Sequence, residues 1–187
     1  MAIGETTSSA SGDGRSQDET IPALITALRG TATQPPYTAR QLLVKMGEQG
    51  VPALTEALRD PDPRLRWEVA KALAEIASPE HTASIGAGKA LVTALEDNEP
   101  GVRWLAADAL VAMGPASLDP LLHGLLQRSE SVWLREGAHH VLHFFARGKL
   151  APVIDPIIEA LDGVLPAISV LPPVKQALDQ LDLHRAV

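Results

Sequence analysis

Cysteine is absent from the 187 residues, which excludes disulfide staples, thiolate zinc sites and thiol nucleophiles and is compatible with a reducing compartment. Aromatic residues amount to only 3% against 45% hydrophobic residues overall, so Ala, Leu, Val and Ile must fill the interior. That mix favours closely packed helices over a β-sandwich. No run reaches the roughly 18–20 consecutive apolar residues of a membrane-spanning helix, and the stretch from Met1 to Glu19 has neither the basic nor the apolar region of a signal peptide. The expectation is a soluble, cytoplasmic chain. Positive charge is also in short supply: the formal net charge is −7, which argues against sequence-independent nucleic-acid binding through phosphate neutralisation. Gly-rich phosphate loops, a Gly-x-Ser-x-Gly elbow and zinc-protease motifs are missing, so no catalytic residue and no cofactor is nominated.

What the chain does have is internal repetition. Val51-Pro-Ala-Leu-Thr-Glu-Ala-Leu58 resembles Ile21-Pro-Ala-Leu-Ile-Thr-Ala-Leu28, and the frame recurs at Ala90–Leu95, Leu118–Leu125 and Ile154–Leu161. The final leucines, Leu28, Leu58, Leu95, Leu125 and Leu161, are spaced by 30, 37, 30 and 36 residues; these segments are first helices, A. A second pattern follows each. Leu65-Arg-Trp-Glu-Val-Ala-Lys-Ala-Leu73 matches Val102-Arg-Trp-Leu-Ala-Ala-Asp-Ala-Leu110 and, less closely, Leu134-Arg-Glu-Gly-Ala-His-His-Val-Leu142. Leu43, Leu73, Leu110, Leu142 and Leu178 fall 15, 15, 15, 17 and 17 residues after their A partners, giving five B helices. Leu65, Val69, Leu73 and Ile76 form one helical stripe facing the paired A helix.

Asp62 and Glu99 stand before Pro63 and Pro100, as at helix starts, and Gly47, Gly114 and Gly148 stand where B helices need a left-handed cap. One hairpin cannot bury both its apolar faces, so successive pairs must stack into an all-α, α-α superhelix (solenoid) over residues 19–187. Residues 1–18, small and polar, offer nothing to bury and read as a disordered tail. Gly86 and Gly88 read as part of a longer loop, starting near Ser78, that produces the 37-residue spacing.

The runs Asp60-Pro-Asp-Pro-Arg-Leu-Arg66 and Asp97-Asn-Glu-Pro-Gly-Val-Arg103, each followed by an Ala-rich helix ending in Leu, resemble HEAT repeats, and the short kind known as the phycobilisome-lyase HEAT-like repeat. Similar repeats serve scaffolds, transport adaptors, bilin lyase subunits and some hydroxylases, so the resemblance is specific for fold and poor for function.

Arg66, Arg103 and Arg135 share one repeat position in the first turn of a B helix, where a cation opposes the helix dipole and needs compensation. The resemblance implies a ladder in which such arginines pair with the turn aspartates Asp60 and Asp97, often across neighbouring repeats. Gln127 replaces the acid in the fourth repeat, which leaves Arg135 free of the ladder.

Tyr37, Trp67 and Trp104, with Glu136 as the fourth member, share the next position. They lie about 200° around the helix from the stripe, either filling the seam between B helices or forming an aromatic column along a groove suited to a peptide or apolar ligand. Lys71, Asp108 and His140 would dress the same face four residues on. His139, His140 and His143, with Glu136, have metal-ligand spacing on one helix, but no second acidic–histidine pair is legible and no metal is expected.

These readings point to a protein-interaction scaffold or adaptor binding a protein or peptide partner along its B helices. The alternative implied by the resemblance is a bilin lyase subunit, or a chaperone-like binder of a tetrapyrrole or its carrier protein. Leu165, Val170 and Leu171 make the last pair apolar, predicting homodimerisation or a partner contact there.

Overall fold

The computed structural model describes residues 13–30, 35–77 and 85–185. Their secondary structure is helical throughout, without a strand among the described residues. Five hairpins follow in order: α1 (Asp13–Ala27) with α2 (Tyr37–Met46), α3 (Val51–Ala57) with α4 (Pro63–Ala77), and α5 (Ile85–Ala94) with α6 (Pro100–Ala112). Next come α7 (Leu118–Arg128) with α8 (Val132–Phe145), then α9 (Ala151–Leu161) with the short α10 (Pro166–Ser169) and α11 (Leu171–Arg185).

The apolar stripes do what their spacing predicts. Leu65, Val69, Leu73 and Ile76 are all at most 2% exposed, and nine of the ten repeat-defining leucines are buried, Leu161 being half-buried. Asp62 Oδ1 accepts the backbone N–H of Arg64 at 2.9 Å, capping α4 ahead of Pro63. Glu99 precedes Pro100 at the start of α6 but makes no side-chain cap. Gly47, Gly114 and Gly148 all have positive φ, and each opens a short 3-10 turn that leads from a B helix to the next A helix.

In the first four hairpins the A helices stack on one another (α1 on α3, α3 on α5, α5 on α7), and the B helices do likewise (α2, α4, α6, α8). The last hairpin breaks this order: α9 packs against α8, and α11 packs against α7. The layers therefore exchange, and α9, the A helix in sequence register, extends the B row. The 17-residue offsets of the last two pairs mark where the strict register ends.

Several expectations are corrected. α1 begins at Asp13, inside the stretch expected to be a tail; Arg15, Gln17 and Glu19 are good helix formers, and residues 1–12 lie outside the described residues. Gly86 and Gly88 are not in a loop but in the first turn of α5. Gly88 lets Met113 approach: a Cβ there would stand 3.0 Å from the Met113 Cε. Residues 78–84 of the expected loop lie outside the described residues. Val170 is fully buried, and Leu171 is half-buried against the core, so neither belongs to an exposed end face. Leu165 does, together with Val164 and Ile168.

Close approach between α8 and the C-terminal end of α5 depends on Gly137. A Cβ on it would lie 2.7 Å from Cδ2 of the fully buried Leu95. Gly137→Ala gains about 1 kcal/mol of helix propensity but overpacks a filled core at a cost of about 1–3 kcal/mol. Urea denaturation followed by circular dichroism should show net destabilisation; a stabilised variant would mean that Leu95 has room to move.

Candidate functional site

The turn aspartates and first-turn arginines form a connected set. Arg66 reaches across to the next repeat, donating from Nε to Asp97 Oδ2 at 2.7 Å and from Nη2 to Asp97 Oδ1 at 3.0 Å and Asn98 Oδ1 at 2.5 Å. Its Nη1 turns back to the carbonyls of Asp60 (2.8 Å) and Pro61 (3.2 Å). The fork–fork geometry is nearly dry, with the two side chains 8% and 6% exposed. The bonded Asp97 carboxylate raises the Arg66 pKa, so the charge is held firmly.

The same backbone contact recurs: Arg103 donates to the Asp97 carbonyl at 2.8 Å and Arg135 to the Ser129 carbonyl at 2.5 Å, each six residues upstream. This carbonyl is what offsets a cation in the first turn of a B helix. Arg135 is thus bonded and not free, and its structural counterpart of Asp97 is Ser129 rather than Gln127, because α7 is longer at its end. Without a carboxylate at that place, Arg103 finds another partner ahead of it. Its guanidinium lies over the Trp133 ring, 4.6 Å from the centroid.

The first rung is built differently, since Pro36 stands where the other repeats have arginine. Asp60 is met instead by Arg29 Nη2 at 2.5 Å. Both aspartates also accept a backbone N–H two residues on, from Asp62 at 2.9 Å and from Glu99 at 2.8 Å, which fixes the turns.

Beside this ladder lies the aromatic row. Tyr37 and Trp104, 59% and 58% exposed, face solvent instead of filling the seams between B helices, whereas Trp67, 38% exposed, also lies partly against Gly101 at the start of α6. They do not stack on one another. Tyr37 has the Arg40 guanidinium 5.5 Å from its centroid, Trp67 has the Lys71 ammonium at 4.8 Å, and Trp104 meets the His140 ring edge-on at 5.4 Å. His140 also approaches Asp108 at 3.5 Å. Lys71, Asp108 and His140 are therefore on the expected face, in contact with the row or with one another. The exposed Glu136 lines the next concavity along.

Concavities follow the row. One of about 500 Å³ is lined by Leu28, Pro36, Pro63, Trp67 and Gly101, together with Arg29, Arg64, Glu68 and Glu99. A small one of about 50 Å³ lies between Trp104 and Trp133. A third, about 350 Å³, lies between α8 and the end of α9 and includes Val132, Arg135, Glu136 and Leu161.

Besides Arg29, sequence reasoning missed three participants. Arg40 is 6% exposed and ion-paired to Glu68 at 2.5 Å and Glu75 at 2.8 Å, tying α2 to α4; its repeat equivalents are Ala70 and Ala107, so no recurring pattern marks it. Trp133 falls one residue before the stripe position, outside the aromatic column. Asp162, at the end of α9, meets His139 at 2.9 Å, a pairing set by the layer exchange and invisible to repeat alignment.

No helix among the described residues is long and apolar enough to cross a membrane. No curated protein matches the chain. The family model for HEAT repeats matches residues 15–85, so the first two hairpins and the entry to the third are similar to HEAT repeats, which generally mediate protein–protein interaction, and nothing in the match singles out the phycobilisome-lyase kind.

Proposed function

We propose that the chain is a protein-interaction module that captures an extended segment of a partner protein along the B-helix row. The observation that carries this reading is the repeated exposure of Tyr37, Trp67 and Trp104 at one repeat position, beside a concavity of about 500 Å³. Large amphipathic rings left in water gain from being covered, and such rings are the usual anchors of protein interfaces. Adjacent packed helices lie about 8–10 Å apart, and an extended segment in the polyproline II conformation repeats its face every three residues, about 9 Å along the chain. A bound segment would therefore place an apolar side chain at every third residue, one per repeat. Lys71, Asp108 and His140 supply polar contacts between these anchors.

Peptide display against the full chain tests this. Enriched sequences should carry apolar residues at i, i+3 and i+6, and should be lost from selections against Trp67→Ala/Trp104→Ala. Enrichment that shows no such spacing and is indifferent to both tryptophans would remove the reading.

A further inference from the structure

We infer that His139, His143 and Asp162 form a binding site for a divalent transition-metal ion of the zinc type, joining α8 to the end of α9. Among the described residues these three offer one ligand atom each, all within 4.8 Å of one another. His139 and His143 are one turn apart on α8, with ring centroids 4.4 Å apart at an interplanar angle of 73°. Asp162 comes from 23 residues away, and its Oδ1 lies 2.9 Å from His139 Nε2. Two of the three donor atoms are thus already side by side, held by a hydrogen bond that an ion would replace. Donors about 2.0–2.2 Å from a shared tetrahedral ion stand roughly 3.3–3.6 Å apart, so His139 and Asp162 need to part only slightly and the His143 imidazole needs only a side-chain adjustment.

The donor set selects the ion. Two imidazoles and one carboxylate suit Zn²⁺, Ni²⁺ or Cu²⁺, whereas Mg²⁺ and Ca²⁺ prefer all-oxygen shells. His143 and Asp162 are exposed, so water completes the coordination. The placement of Asp162 adds a second argument. It is the C-terminal cap residue of α9, where a carboxylate faces the negative end of the helix dipole and a bound cation relieves the repulsion. Glu136 lines the same concavity and adds negative charge, while Arg135, the neighbouring cation, is drawn to the Ser129 carbonyl at 2.5 Å. An ion held here would pin α9 to α8 at the step where the two layers exchange. The proposal does not rest on the peptide-binding reading, because none of its ligands belongs to the aromatic row.

Calorimetric titration of the full chain with zinc chloride, with the absorption of a cobalt(II) complex as a second readout, tests the site. One ion per chain is expected. His143→Ala and Asp162→Asn should each weaken binding at least about tenfold while helicity is kept, since both residues are exposed; His123→Ala and His140→Ala should bind as the parent does. The absence of binding at micromolar zinc would overturn the assignment, leaving an ordinary His139–Asp162 hydrogen bond. So would binding that survives both ligand substitutions or is lost with His140→Ala.

Discussion

Asp97→Ala is expected to destabilise the protein by about 3–5 kcal/mol, far more than Asp60→Ala at the equivalent turn position. Removing the Asp97 carboxylate leaves the buried Arg66 guanidinium without its bonded counter-charge, with only the Asp60 and Glu99 carboxylates acting on it from farther off, close to the situation in which breaking an ion pair is most costly. The remaining partners, the Asp60 and Pro61 carbonyls and Asn98, are neutral acceptors. The turn also loses the bond from the Glu99 N–H to Asp97. At Asp60 the partner is Arg29, whose side chain is 43% exposed and is rehydrated when the acid is removed. An exposed pair of that kind contributes about 0–1 kcal/mol, and the lost Asp62 N–H bond about 1 kcal/mol more. Urea denaturation of the two variants under identical conditions measures the contrast. Equal losses would show that the ladder is no drier at its second rung than at its first.

The largest effect on binding is expected from Trp67→Ala combined with Trp104→Ala. Interface anchors typically contribute 2 kcal/mol or more each, so removing two should weaken a bound segment by about 1,000-fold if their contributions add. The fold should survive. Trp104 is 58% exposed, with a T-shaped contact to His140, and Trp67, at 38% exposed, rests on the first turn of α6 at Gly101. Circular dichroism of the double variant should therefore match that of the parent.

Features that repeat locally were legible in the sequence. Leu73 and Leu110 recur because every hairpin must bury the same stripe, and the Arg66–Asp97 rung joins two residues that each belong to a recurring pattern. The position of Tyr37, Trp67 and Trp104 was also readable, but not their environment: whether a ring closes a seam or faces solvent depends on the distance between B helices, which sequence spacing does not encode. The contacts that were missed each involve a departure from the repeat. Arg29 substitutes for an arginine absent at Pro36. Arg40 occupies an alanine position, and Trp133 receives Arg103 because Ser129 has no carboxylate to offer. Asp162 reaches His139 only because α9 crosses to the B row, an event that two extra residues in the register hinted at without giving its direction. Gly88 misled for a related reason. Glycine suggests a loop when read alone, yet here it makes room for Met113 within a helix.

The most direct measurement is the dissociation constant of a display-selected peptide for three proteins: the parent, the Trp67→Ala/Trp104→Ala variant, and a control altered on the A layer at the exposed Glu56. Binding that falls by two to three orders of magnitude in the tryptophan variant alone is the predicted result. Equal affinity for all three proteins, or loss only in the Glu56 control, would place the partner on another face and contradict the central claim.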